Sequence, residues 1–158
     1  MDSPRDQSLL HLQRPCLLVA DLERSLTLYR DCLGFHLDYV GKADPGSYLY
    51  PVFQLPPEAQ LRFAALSTGQ EPRALALTEV KGSALPPPST PHRGATVIRV
   101  PALAPVLRQL RALGLSPIPA SSFTTPPNLT FTEQADCDFD GHLMVLYEVR
   151  CSSPSSQA

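Results

Sequence analysis

Residues 14–35, RPCLLVADLERSLTLYRDCLGF, constrain the fold more than any other segment, because a strand, a helix cap, an amphipathic helix and a glycine stop follow one another there. Cys16 to Ala20 form a short apolar run, and the Asp21 carboxylate can accept from the free N–H groups of the turn that follows. Leu22, Leu26, Tyr29 and Leu33 recur at intervals of four, three and four, which is one face of a helix. Gly34 supplies the left-handed residue that closes it. The unit reads as strand, helix, strand.

A weaker copy returns at residues 95–115. A shift of 81 places Leu22 on Leu103, Leu26 on Leu107 and Arg30 on Arg111, and Gly34 meets Gly114 after a one-residue slip. Near the other end of each half, Leu77-Thr78-Glu79-Val80 matches Leu146-Tyr147-Glu148-Val149. Agreement at both ends of two similar halves points to a duplicated supersecondary unit.

The expected strands of the first half are residues 13–20, 35–42, 61–67 and 74–81, with the helix between the first two. Residues 47–60, SYLYPVFQLPPEAQ, have room for an extra strand or turn, interrupted by Pro51 and ended by Pro56-Pro57. SALPPPSTPHRG then breaks the pattern, and consecutive prolines favour a stiff connector. The expected organisation is therefore a frayed N-terminus at 1–9, a first module at 10–83, a Pro-rich linker at 84–93, a second module at 94–150 and a disordered tail at 151–158. In the second half, residues 95–100 read as a strand. A helix follows with Leu103, Val106, Leu107, Leu110 and Leu113 on one side, shorter than the first because Pro105 is tolerated only near a helix start. Residues 116–120, 129–135 and 142–149 complete the set, the last two joined by the turn DCDFDG.

Composition narrows the function classes. A chain of 158 residues with 13 basic and 15 acidic side chains carries nothing that favours a nucleic-acid backbone or an anionic membrane surface. No apolar run approaches the ~20 residues of a membrane span, and MDSPRDQSLL lacks the apolar core of a signal peptide, so a cytoplasmic protein is expected. Cys16, Cys32, Cys137 and Cys151 show neither CxxC pairing nor regular spacing and read as reduced structural thiols. Cys137 lies between two aspartates, which disfavour a thiolate.

VADLERSLTLYRDCLGF and DFDGHLMVLYE resemble, in order, the opening and closing signatures of the vicinal oxygen chelate superfamily, which includes glyoxalase I, extradiol dioxygenases and bleomycin-resistance proteins. The resemblance covers about residues 12–150. It implies an α+β fold of two tandem βαβββ modules, each a curved mixed sheet, together enclosing a cavity. In the family's enzymes that cavity holds a divalent metal, with ligands from the first and last strand of each module. The matching positions here are Arg14 and Ala95 on the first strands, and Ala76 and Val145 on the last strands. None of these side chains can bind a hard or borderline cation, so neither a metal nor another cofactor is expected. An unconventional site using His92, His142 or Glu148 is the alternative.

Strand alternation supplies the rest of the expected lining, since residues two apart share a face. Arg14, Cys16 and Leu18 line up with Ala95, Val97 and Arg99, and Ala76 and Thr78 line up with Val145 and Tyr147. The candidate ligand-binding residues are therefore Arg14, Arg99, Thr78, Tyr147, Val145 and Ala95, an apolar wall with two guanidinium groups and two hydroxyls suited to a small organic anion. Glu79 and Glu148, the nearest candidates for a general base, fall on the opposite face by strand parity. In DFDGH, Asp140-Gly141 is a turn signal, and both aspartates and His142 are expected to be structural. The sequence thus predicts a metal-free protein that binds a small molecule. The alternative is a glyoxalase- or dioxygenase-like enzyme acting on a small metabolite with an unconventional metal site or none. A homodimer is expected, because bleomycin-type relatives build their sites across one and the apolar sheet edges invite pairing.

Overall fold

The structure is a computed structural model that describes residues 10–152. The expected disorder at 1–9 and over 153–158 falls outside the described residues. The first module contains β1 (Cys16–Val19), α1 (Leu22–Leu26) continued by a π-helical stretch (Thr27–Cys32), β2 (His36–Lys42), α2 (Leu49–Val52), β3 (Gln60–Ser67) and β4 (Leu75–Lys81). The second contains β5 (Thr96–Arg99), α3 (Leu103–Ala112), β6 (Ser121–Thr125), β7 (Leu129–Cys137) and β8 (Leu143–Cys151). Each forms a four-stranded mixed sheet, ordered β1-β4-β3-β2 and β5-β8-β7-β6. The first and last strands of each module pair in parallel and the remaining neighbours antiparallel. This is the expected α+β pair of βαβββ units, without a closed barrel.

Local chemistry explains the repeated strand-to-helix corner. Asp21 adopts an extended backbone, and its Oδ1 accepts from the Arg24 N–H at 3.0 Å, so the cap forms as the sequence requires. Gly34 (φ +91°) and Gly114 (φ +84°) stop the two helices in the left-handed region. Between cap and stop, the first helix widens to a π-helix. The Leu33 N–H reaches the Leu28 carbonyl five residues back at 2.9 Å. Leu28 and Tyr29 are both fully buried, whereas a 3.6-residue period had selected only Tyr29. The second helix, with Pro105 at its third position, is ten residues of α-helix, against five α-helical and six π-helical residues in the first.

One continuous core joins the modules: Val19, Leu22, Leu26, Leu75 and Leu77 from the first pack with Val100, Leu103, Leu110, Met144 and Leu146 from the second. These residues lie on the helix-bearing faces of both sheets. On the other face of the first sheet, Leu49, Tyr50 and Leu55, from the loop that carries α2, cover Leu18, Leu61 and Val80. Residues 47–60 thus supply a short helix and a plug where an extra strand or turn was expected.

The third strand of the second module also differs from expectation: it is Ser121–Thr125, not residues 116–120. Pro117 and Pro119 remove two of the N–H donors a ladder there would need, and Ile118 alone bonds across, to the Ala135 carbonyl at 2.7 Å. β8 runs to Cys151, one residue into the expected tail. No described helix is long and apolar enough to cross a membrane.

Candidate functional site

The strand registers match the expected alternation. Cys16 lies opposite Ala76 and Leu18 opposite Thr78 in the first sheet, and Val97 opposite Val145 and Arg99 opposite Tyr147 in the second. The six candidate residues nevertheless fall in four places. Arg14 is half-buried just before β1, its guanidinium donating to the Arg73 carbonyl at 3.4 Å. Thr78 is 2% exposed, in the row between Leu18 and Phe63 on the face that the plug covers. Arg99, Tyr147 and Val145 share the open face of the second sheet, where the Tyr147 and Phe123 rings flank Phe131 with centroids 6.4 and 5.1 Å away. Ala95 alone lines the cleft described below.

The positions matching the family's ligands do not fit a metal. Arg14, Ala76, Ala95 and Val145 offer no imidazole, carboxylate or thiolate donor, and among the described residues no three His, Cys, Asp or Glu side chains converge. The two sheet carboxylates have structural partners instead. Glu79 Oε2 accepts from the Leu22 N–H at 2.7 Å and Glu148 Oε2 from the Leu103 N–H at 2.8 Å, so each satisfies an otherwise unpaired donor at a helix start. Arg62 and Arg150 neutralise them at 3.2 and 2.8 Å. A buried carboxylate that already carries these bonds is a poor general base.

The second module grips the first through the DFDGH turn. Asp138 Oδ1 accepts from the backbone N–H groups of Asp140 and His142, each at 2.9 Å, while its Oδ2 accepts from the Tyr29 hydroxyl at 2.7 Å. Burial, followed by the charge of Asp138, pushes the Tyr29 phenol far above its ordinary range. Asp140 Oδ1 accepts from the Ala20 N–H at 2.9 Å and pairs with Arg24 at 3.4 Å, and the Arg24 guanidinium lies 5.0 Å from the centre of the Phe139 ring. His142 Nε2 lies 2.7 Å from the Leu18 carbonyl oxygen. A carbonyl only accepts, so the proton is on Nε2. Both aspartates and His142 thus act structurally, as expected. Their role in joining the modules was not legible, because every partner in the first module is more than a hundred residues away.

Beside this turn lies a cleft of about 650 Å³. One wall is the β1 edge at Cys16 and Leu18 with Phe53 from the plug, a second is the Pro-rich linker with His92 and Arg93, and the floor is the turn at residues 140–143. The linker is held by side chains alone: among the described residues, 84–93 make no backbone-to-backbone hydrogen bond. Leu85 packs on the Leu61 and Val80 cluster, and the His92 Nε2 lies 3.7 Å from the Cys137 sulfur. Pro88 packs on Gly141, where a Cβ would come within 2.4 Å of its Cγ. Burial, with Asp136 and Asp138 behind it, raises the Cys137 thiol, so the His92 contact is not a thiolate–imidazolium pair. Sequence reasoning missed Phe53 and Arg93 as cleft residues, and named His92 only as a ligand of an unconventional metal site. The signal available was the basic pair that follows the proline run.

Two copies of one βαβββ unit, locked by a turn and leaving a ligand-sized cleft at their junction, define a paired-module α+β protein. The chain belongs to the Glyoxalase/Bleomycin resistance protein/Dioxygenase superfamily, whose family model matches residues 8–146. Among solved structures, it is similar to a glyoxalase family protein from Bacillus cereus, with a TM-score of 0.70 at 13% identity over 93% of this chain and 99% of that one. It is also similar to the trypanothione-dependent glyoxalase I of Leishmania major, with a TM-score of 0.56 at 18% identity over 88% of this chain and 86% of that one. The fosfomycin resistance protein FosX of Listeria monocytogenes gives 0.54 at 14% identity, over 89% and 93%. At these identities the likeness shows the fold. No curated protein sequence matches the chain.

Proposed function

We propose that this protein binds a small organic molecule in the junction cleft without a divalent metal. The observation that carries this reading is the donor set: Arg14, Ala76, Ala95 and Val145 stand where the resemblance implies metal ligands, yet the chain has a largely apolar cleft of about 650 Å³, which Ala95 lines. Isomerisation or ring cleavage in the manner of the family's enzymes needs a Lewis acid to stabilise an enediolate or activate dioxygen, and these residues supply no seat for one. The commitment of Glu79 and Glu148 to helix starts also weighs against an enzymatic reading.

Metal analysis of protein purified without chelator tests this. The expected content is far below one ion per chain, and near-stoichiometric nickel, zinc, iron or manganese would overturn the reading. A second copy of the chain remains part of the proposal. On the open face of the second sheet, Val97 is 64% and Phe123 45% exposed, apolar surface that a homodimer would cover. Sedimentation at micromolar concentration is expected to give the dimer mass, and monomer alone would contradict it.

A further inference from the structure

We infer that the cleft selects a ligand with an apolar body and a single anionic group, and that the anion is read by Arg93 and His92 of the Pro-rich linker, not by any sheet position. This rests on the proposed binding role and adds the ligand class and the residues that recognise it.

The charge inventory of the cleft supports the inference. Two formally charged side chains line it, Arg93 and Asp140. The Asp140 side chain is only 7% exposed; its Oδ1 accepts from the Ala20 N–H and pairs with Arg24, while its Oδ2 is buried without a hydrogen-bond partner. Arg93 is exposed and, among the described residues, makes no ion pair. With Arg24 set against the one carboxylate, Arg93 leaves the cleft a positive charge in excess, and the neighbouring His92 adds a further ring donor. Leu18, Phe53 and Leu85 also line it and offer apolar surface to the rest of the ligand. A guanidinium presents paired donors to a carboxylate or phosphate, so the two halves of the cleft suit the two halves of an amphiphilic anion.

Arg14 and Arg99, the guanidinium groups expected from strand alternation, do not line the cleft. Arg14 donates to the Arg73 carbonyl, and Arg99 is on the open face of the second sheet beside Tyr147. Recognition has therefore moved from the strands to the connector. Because residues 84–93 lack backbone hydrogen bonds of their own, a ligand gripped by Arg93 would also order this segment.

The test uses three probes with the same chain, octanoate, 1-octanol and octylammonium, titrated calorimetrically into the full-length protein. Octanoate is expected to bind about tenfold more tightly than octanol, with octylammonium weakest, and the octanoate advantage should shrink as salt is raised. Arg93→Ala should bring octanoate down to the octanol level while leaving octanol unchanged, Arg93→Lys should restore part of the loss, and Arg99→Ala should change nothing. Circular dichroism confirms that each variant is folded. Octanol binding as tightly as octanoate, or an Arg99→Ala variant that loses the octanoate preference, would overturn this inference and leave the binding role standing. If none of the three probes binds, the binding role falls as well.

Discussion

At the scale of single residues, the protein's most consequential polar groups are buried carboxylates, and their environments set them apart. Asp138 takes three hydrogen bonds, two from backbone N–H groups and one from Tyr29, so its burial is fully compensated. A buried hydrogen bond to a charged acceptor such as this contributes about 1.5–3 kcal/mol. Asp136 is the opposite case: it is 4% exposed, its Oδ1 accepts from the Cys137 N–H at 2.7 Å, and its Oδ2 has no partner. Burial raises the Asp136 carboxyl above its ordinary value, with the Cys137 N–H opposing. The folded chain therefore holds this proton to a higher pH than the unfolded chain does. Stability falls as pH rises from the ordinary carboxylate value to the raised one, and the cost persists at neutral pH. Asp136→Asn keeps an acceptor for Cys137 and cannot ionise. Its stability relative to the parent, from urea denaturation, should be more favourable near pH 7 than at about pH 3, where both side chains are neutral. A difference independent of pH would show that Asp136 is not the group that titrates.

At the scale of elements, two left-handed glycines, one a helix stop and one in the DFDGH turn, make a controlled comparison. Gly114 and Gly141 both have left-handed backbones, at φ +84° and +87°, but a Cβ at Gly114 would meet nothing within 4 Å, whereas at Gly141 it would collide with Pro88. Gly114→Ala should cost about 1 kcal/mol, the ordinary penalty for a side chain in that region. Gly141→Ala should cost more and displace the linker, and equal costs in urea denaturation would show that the Pro88 contact carries no energy. Legibility from sequence divides along the same lines. The Asp21 cap, the two helix stops and the alternating faces of β1, β4, β5 and β8 follow from local chemistry and a period of two or 3.6, so residues 14–35 and the repeat disclosed them. The π-helical widening was hidden, because it serves to bury Leu28 beside Tyr29 and so depends on the opposing core. Residues 116–120 form no strand because Pro117 and Pro119 lack two of the N–H donors a ladder there needs, and the strand begins at Ser121 instead. The plug over Thr78 was invisible for a related reason: Leu49, Tyr50 and Leu55 have no strand or long-helix period, and only their contacts with Leu18, Leu61 and Val80 explain them.

At the scale of the whole molecule, one arrangement accounts for both what the chain keeps of its family and what it has changed. The helix-bearing faces of the two sheets share a core, and the DFDGH turn of the second module is bonded to the end of β1, so the modules are docked independently of any metal. The positions to which the family resemblance assigns metal ligands carry Arg14, Ala76, Ala95 and Val145, and the first sheet's other face is partly covered by the chain's own loop. A ligand-sized cleft of about 650 Å³ is at the junction, walled by a connector. The positions were legible from sequence, since a shift of 81 residues places Ala95 on Arg14, but the connector's part was not, because a proline run without periodicity has no predicted place in space. The most direct measurement is the map of amide chemical-shift changes in ¹⁵N-labelled protein on titration with octanoate. Changes concentrated at residues 16–18, at the non-proline residues of 85–94 and at 140–143 are predicted. Changes concentrated instead at Ala76, Arg99, Val145 and Tyr147, with the linker and turn unmoved, would place the site on the sheet faces and contradict the account.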